Sequence, residues 1–181
     1  CTFCVEGMSY YSKIYRNKEE KINSELNYIG SKMQQVRNKG GRNDLWLVDS
    51  NFGMYNEDIE TCKSIAICQE KYHWPEYIQC DTGKNNKPRV LNAARLVKGA
   101  IRLSGSVQTL DENVLKNIKR SNISGDGLMQ LAVEAAEIDA DSRSEIILGL
   151  PGESLKSHFE TINTVINARF NHVNTYQLMM L

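Results

Sequence analysis

No stretch of this sequence stays apolar long enough to cross a bilayer. Its apolar runs are short, Ile146-Ile147-Leu148 among them, whereas a spanning helix needs roughly 20 such residues. Charge of one sign does not dominate either. Lys plus Arg number 22 and Asp plus Glu number 22, interspersed, so neither nucleic acid nor a membrane is expected as an electrostatically driven partner. No charged segment followed by an apolar one opens the chain, so no secretory signal is expected. Repeats, low-complexity tracts and linkers are missing from the 181 residues, which read as a single domain, 1–181. The three histidines, His73, His158 and His172, show no paired ligand spacing; surface or capping roles are expected of them.

Cysteine is present in an odd number, five: Cys1, Cys4, Cys62, Cys68 and Cys80. In a chain this long with helical patterning, an odd count argues against a disulfide scaffold and for a reducing cytoplasm. Cys62 and Cys68 fall within a predicted helix and Cys80 within a predicted strand, so buried, small-hydrophobe roles are expected for all three. The first residue is Cys, with no Met before it. A lipid-anchored N-terminus would be followed by a polar tether, whereas Thr2-Phe3-Cys4-Val5 is apolar and carries a second thiol; a chain cut from a longer protein is the expectation.

Hydrophobic periodicity divides the chain into alternating helices and strands. Ile22, Leu26, Ile29, Met33 and Val36 follow a 4-3-4-3 spacing over a predicted helix at 16–39, one apolar stripe among charged neighbours, which Gly40-Gly41 should stop. Leu45-Trp46-Leu47-Val48 reads as a short buried strand. A second helix is predicted over 57–72, with Ile59, Cys62, Ile65 and Ala66 facing inward. Tyr77-Ile78-Gln79-Cys80 follows as a strand, and Pro88 suits the first turn of the next helix, where its missing N–H costs nothing. Further strands are predicted at 100–103, 145–148 and 173–178. Helices are predicted at 113–119, capped by Thr109 with Glu112 in capping-box spacing, at 127–138, and from a Ser154 cap to about residue 168. Strands separated by helices specify a parallel sheet with crossover helices, either doubly wound or barrel-like. A complete eight-stranded barrel takes about 250 residues, so an incomplete one is the alternative of that kind open to this chain.

In such folds the site forms at the carboxyl ends of the strands. Four of those loops hold residues unusual for plain connections: Asp49-Ser50-Asn51, Ser104-Gly105-Ser106-Val107-Gln108, Gly149-Leu150-Pro151-Gly152-Glu153, and Tyr176-Gln177. Singly each is an ordinary turn or cap; together they favour a polar ligand approaching backbone. Cys1-Thr2-Phe3-Cys4 is the remaining element. Alone, a Cys-x-x-Cys pair is half a zinc site, a redox dithiol, part of an iron–sulfur ligand set, or nothing. The residues by themselves also leave open a phosphate-handling α/β barrel enzyme, with Gly149 to Glu153 cradling an anion at the following helix, or a non-catalytic binding domain.

Taken together, the thiol pair and the loops resemble radical S-adenosylmethionine (SAM) enzymes, which carry Cys-x-x-x-Cys-x-aromatic-Cys after the first barrel strand. Cys1-Thr2-Phe3-Cys4 is similar to the last four positions of that motif; the first cysteine and the first strand would precede Cys1. The resemblance runs from the cluster loop to the sixth strand of the family and implies an α/β fold, an incomplete parallel (βα) barrel of TIM type with the first strand missing. It implies that Cys1 and Cys4 are metal ligands of a 4Fe-4S cluster. It further implies that Asp49, Ser50 and Asn51 stand where the family's Gly-Gly-Glu-type motif meets the methionine amino group, a motif not literal here. Ser106 and Gln108 resemble residues contacting the ribose and carboxylate, and Ile147 to Glu153, including Gly149 and Glu153, resembles the glycine motif near the adenine. Tyr176 and Gln177 resemble the sixth-strand end beside the adenine edge. Cys-Thr-Phe-Cys-Val-Glu-Gly and Asp-Ser-Asn-Phe-Gly look most like the subgroup with an N-terminal cobalamin-binding domain, so cobalamin held by an upstream domain belongs to the same implication. The implied activity is reductive cleavage of SAM to a 5′-deoxyadenosyl radical, or cobalamin-dependent methyl transfer or rearrangement, on a small-molecule substrate, with an electron donor such as flavodoxin or ferredoxin.

Overall fold

A computed structural model describes residues 1–4 and 8–179. Val5, Glu6 and Gly7, part of the Cys-Thr-Phe-Cys-Val-Glu-Gly phrase, lie outside the described residues, as do Met180 and Leu181. The chain divides into two compact units, one comprising 17–104 with 134–142 and the other 1–16, 105–133 and 143–181.

The first unit contains α1 (Glu19–Arg37), β1 (Asp44–Trp46), α2 (Asn56–Tyr72), β2 (Tyr77–Gln79), α3 (Lys87–Leu96) and β3 (Leu103–Ser104). β1 and β2 pair in parallel with Leu45 opposite Ile78, and Ile101 bridges Ile78 in parallel on its other side. Leu45, Ile78 and Ile101 are buried together with Cys62, Ile65 and Cys68 of α2 and Ala93 and Ala94 of α3. The expected burial of Cys62, Cys68 and Cys80 holds, and none of the five cysteines forms a disulfide. Burial drives the Cys62 thiol pKa up to about 12, with Cys80 and Asp58 adding to it. Pro88 sits in the first turn of α3. His73 takes a capping role, ending α2 in the left-handed region at φ 52° and donating its amide to Gln69 O at 2.9 Å.

One expectation fails in α1. Of its apolar stripe only Leu26 is buried, while Ile29 and Val36 are exposed. The face turned inward instead includes Gly30, where an added Cβ would lie 2.5 Å from Tyr72 Cδ2, and Asn27, whose Oδ1 accepts from the Tyr72 hydroxyl at 3.2 Å. An aromatic ring from α2 fills the space of a side chain at Gly30, and of the apolar stripe Ile22 and Met33 are half-buried beside Leu26.

The second unit contains α4 (Glu112–Asn117), β4 (Ser142–Leu148, from Arg143 on), α6 (Leu155–Asn167) and β5 (His172–Gln177), with α5 spanning Gly125–Glu137. β4 and β5 are parallel, with Ile147 opposite Tyr176 and Leu148 opposite Gln177. Gln108 adds a parallel bridge to Ile146. Val107, Val114, Ile118, Ile146, Leu150 and Val165 are fully or nearly fully buried. Ser154 caps α6 as expected, accepting from Ser157 N at 3.1 Å. The cap of α4 differs from expectation: Asp111 Oδ1 accepts from Asn113 N at 2.8 Å and Val114 N at 3.1 Å, and Thr109 Oγ1 accepts from Asp111 N at 3.2 Å. A carboxylate at the positive end of the helix dipole outcompetes a hydroxyl for that position. His158 is likewise not a surface residue but buried, 5% exposed. Both units are thus α/β with parallel strand pairs, and among the described residues no helix is long and apolar enough to cross a membrane.

Candidate functional site

In the second unit the sequence-expected residues gather at the carboxyl end of β4 and β5. Phe3 is the anchor of the thiol loop. Its ring packs against Val114, Ile118 and Leu150, beside Ile147 and Leu178, and the Thr2 amide donates to Ile118 O at 3.0 Å. An apolar ring held this way leaves the residues on either side facing out, and Cys1 and Cys4 are both exposed and outside any disulfide. Leu178 N donates to Leu148 O at 2.9 Å, which extends the β4–β5 ladder to the place where Phe3 sits.

Gln108 lies next to this loop system in the left-handed region, φ 65°, which costs a non-glycine residue energy. Its amide donates to Glu145 O and its carbonyl accepts from Ile147 N, so β4 holds it on both sides. Its side chain is 8% exposed and Oε1 has no partner. A buried acceptor without a donor costs roughly 1–3 kcal/mol; a ligand hydroxyl or N–H would satisfy it. Ser106 is placed close by, but its hydroxyl already donates to Glu145 Oε2 at 3.0 Å. Glu145 Oε1 in turn lies 3.9 Å from Arg143 Nε.

The turn after β4 is built around glycine. Gly149 and Gly152 have φ of 85° and 86°, conformations that other residues adopt at a cost. Glu153 points back into the turn: Oε2 accepts from Gly149 N at 2.8 Å and Oε1 lies 3.1 Å from His158 Nδ1. No atom lies within 4 Å of where a Gly149 Cβ would be, so this stretch of backbone is open to a ligand. Tyr176 and Gln177, at the end of β5, are exposed.

Asp49, Ser50 and Asn51 belong to the other unit. They form an exposed turn after β1, with Asn51 N donating to Asp49 Oδ1 at 2.8 Å and Asp81 N donating to Asp49 O at 3.3 Å. Just beyond, Asp58 Oδ2 accepts from Gly53 N and Tyr55 N, each at 2.9 Å. Burial raises its pKa, those two bonds oppose the rise, and Asp49 and Glu57 add to it.

Four residues of the site were not singled out from sequence: Arg120, Asn122, Glu145 and His158. Arg120 Nη2 donates to Ser106 O at 2.5 Å, Nε to Asn122 Oδ1 at 2.7 Å and Nη1 to Cys1 Sγ at 3.5 Å. Asn122 Nδ2 donates to Val107 O and Thr109 O, at 2.7 and 2.6 Å. Burial lowers the Arg120 pKa, while Glu145 and Cys4 pull it back up. Lys119-Arg120-Ser121-Asn122 looks like a solvated loop in sequence; the tertiary structure buries Arg120 and half-buries Asn122, while Lys119 and Ser121 stay exposed.

Among the described residues no group of three or more His, Cys, Asp or Glu is arranged to hold a metal ion. What is present fits part of a cluster's ligand set: two free thiols on a loop whose aromatic residue is fixed in the core. The orphaned Gln108 Oε1 and the open Gly149 turn fit a polar nucleoside ligand.

No protein-family model matches the chain. Among curated proteins it is 27% identical, across 100% of its length, to the cobalamin-dependent radical SAM methyltransferase TokK of Streptomyces tokunonensis. The identity is again 27%, over the same span, to 2-(S-pantetheinyl)-carbapenam-3-carboxylate methyltransferase of Streptantibioticus cattleyicolor. The chain spans about a quarter of the length of these relatives, 26% of each. Among solved structures, the radical SAM methyltransferase TsrM of Kitasatospora setae superposes with a TM-score of 0.72 over 97% of this chain and 33% of that one, at 12% identity. Coproporphyrinogen III oxidase HemN of Escherichia coli, a radical SAM enzyme, gives 0.60 over 100% and 43%, at 18% identity. At these identities the two structures show a shared fold.

Proposed function

We propose, from the 27% identity that the whole chain shares with a cobalamin-dependent radical SAM methyltransferase, that residues 1–181 form the core domain of a radical SAM enzyme, an incomplete parallel (βα) barrel. Cys1 and Cys4 would supply two of three thiolates for a 4Fe-4S cluster, the third coming from a cysteine preceding Cys1. Bound together, cluster and SAM supply one-electron cleavage of a sulfonium carbon–sulfur bond.

The chain's own residues have separate tasks in this reading. Phe3 fixes the thiol loop and keeps its surroundings apolar, which favours a water-poor site. Gln108 accepts a hydrogen bond from the ligand's ribose, relieving its orphaned Oε1. Ser106 acts through Glu145 rather than directly, since its hydroxyl already donates to that carboxylate. Gly149 opens the backbone to the adenine, Glu153 holds that turn in shape, and Tyr176 and Gln177 border it at the end of β5. In the other unit, the exposed Asp49, Ser50 and Asn51 turn carries the polar groups that the resemblance assigns to the methionine amino group. Cobalamin bound by an upstream domain, an electron carrier such as flavodoxin or ferredoxin, and a small-molecule methyl acceptor complete the reading; five cysteines outside any disulfide accord with a reducing cytoplasm.

The observation that carries the proposal is the Phe3 anchor. Phe3, between the two thiols in sequence, packs on the same apolar cluster as Ile147 and Leu178 from the carboxyl ends of β4 and β5, and this supports the reading because parallel α/β folds bind their ligands at those ends. The test is anaerobic iron and sulfide reconstitution of the full-length protein, followed by assay for 5′-deoxyadenosine and for transfer of the SAM methyl group to bound cobalamin. A colourless protein that consumes no SAM would overturn it.

A further inference from the structure

Arg120 is only 9% exposed, yet each nitrogen of its guanidinium has its own partner on a different segment. Nε reaches Asn122 Oδ1 at 2.7 Å, Nη2 the carbonyl of Ser106 at 2.5 Å, and Nη1 the sulfur of Cys1 at 3.5 Å. The backbone repeats the connection: Thr2 N donates to Ile118 O at 3.0 Å, and Arg120 N, donating to Leu115 O at 3.0 Å, ties the turn back to α4. The turn after α4 therefore holds the thiol loop through both main chain and side chain. A planar guanidinium with its fork filled on two sides cannot swing away from the third partner. Burying a cation is costly unless anions repay it. Glu145 and Cys4 both lie close enough to act on its charge, and Glu145 is already shared with Ser106 and, more distantly, Arg143.

We propose that Arg120 is a positioning residue for the metal-bound Cys1 thiolate, donating an N–H···S hydrogen bond that fixes the sulfur and sets the ease with which the cluster accepts an electron. This rests on the reading of Cys1 and Cys4 as cluster ligands. Hydrogen bonds to cluster sulfurs and nearby positive charge favour the more negative, reduced state and raise the potential. Arg120 supplies both, from a fixed geometry that exists before any cluster is bound. Lysine at this position would keep the charge, but its donors radiate from one nitrogen and do not reproduce the planar fork whose three nitrogens meet Asn122, Ser106 and Cys1 separately.

The test uses the full-length protein, reconstituted anaerobically, as wild type, R120Q and R120K. Iron content is counted and the midpoint potential is read by redox titration followed with electron paramagnetic resonance. R120Q is expected to shift the one-electron equilibrium at least tenfold toward the oxidised state, a fall of 59 mV or more, and R120K to recover part of that shift. Wild-type protein labelled with 15N-arginine supplies a measurement that does not depend on a variant folding: pulsed resonance of the reduced cluster should show coupling to an arginine nitrogen. An iron-loaded R120Q with the wild-type potential, or a wild-type cluster with no such coupling, would overturn the assignment. Wild-type protein that takes up no iron would instead sink the reading on which it rests.

Discussion

Gly149 donates its amide hydrogen to Glu153 Oε2 at 2.8 Å, closing the turn that begins where β4 ends. The other oxygen of that carboxylate lies 3.1 Å from His158 Nδ1 in α6, with the two side chains 3% and 7% exposed. The glycine turn is therefore fastened to the helix behind it through one buried carboxylate. Removing Glu153 opens the Gly149 turn and leaves the buried His158 Nδ1 without its partner, and a stranded buried group costs more than the lost bond itself. Glu153→Ala is expected to lower stability by about 2–4 kcal/mol and Glu153→Gln by about 1 kcal/mol, read from urea unfolding midpoints. Equal, near-zero losses for both would mean that the carboxylate does not hold the turn.

Gly30 presents a contest between two effects of opposite sign. In an exposed helix, Gly→Ala stabilises by about 1 kcal/mol. Here the new Cβ would lie 2.5 Å from the Tyr72 ring, which its bond to Asn27 holds in place. Overpacking of this kind costs about 1–3 kcal/mol, so Gly30→Ala should be net destabilising. In a Tyr72→Ala background the clash disappears and the same substitution should become stabilising. A thermal melt of the four proteins checks the sign change.

The same contact explains what the sequence conceals. Element types and order were legible because period and punctuation are local: Pro88 in the first turn of α3, Ser154 at the cap of α6, and short apolar runs for the strands. The orientation of α1 was not, since Gly30 carries no apolar signal and owes its burial to an aromatic residue far along the chain. At the site, Gly149, Gln108 and the Cys1–Cys4 pair could be found by motif spacing. Arg120, Glu145 and His158 could not, because each resembles a solvated residue until a partner distant in sequence buries it: Cys1 for Arg120, Ser106 for Glu145. His158 is the exception in distance, pairing with Glu153 five residues earlier, across the Ser154 cap of α6.

Alkaline conditions should destabilise the first unit through Cys62. Burial raises its pKa from 9.0 to about 12 in the folded chain. Between those values the unfolded thiol has lost its proton while the folded one keeps it, so the folded state binds more protons and stability falls as pH rises. Each fully developed unit of pH removes about 1.4 kcal/mol. Cys68, also raised by burial, adds in the same direction. Urea unfolding between pH 8 and 11 should show this loss in wild type and a shallower one in Cys62→Ala. In native protein at pH 8, iodoacetamide should label Cys1 and Cys4 and spare Cys62, Cys68 and Cys80; labelling of Cys62 without denaturant would contradict its burial.

Gln108 separates stability from ligand binding most clearly. Its main chain is held by Glu145 and Ile147, bonds that any residue would keep. Its side chain contributes a buried Oε1 with no donor, on a backbone at φ 65°. Gln108→Ala removes the unsatisfied oxygen and so should change folding stability by less than about 1 kcal/mol. Gln108→Gly also relieves the left-handed backbone and should stabilise by about 1 kcal/mol. If Oε1 waits for a ribose hydroxyl, both variants of the full-length, cluster-loaded protein should bind SAM at least tenfold more weakly, as read by calorimetry. A structural glutamine would give the reverse pattern: a marked loss of stability on substitution and an unchanged affinity. Because the two outcomes have opposite signs on two independent measurements, a partial misfolding of either variant cannot imitate the expected result.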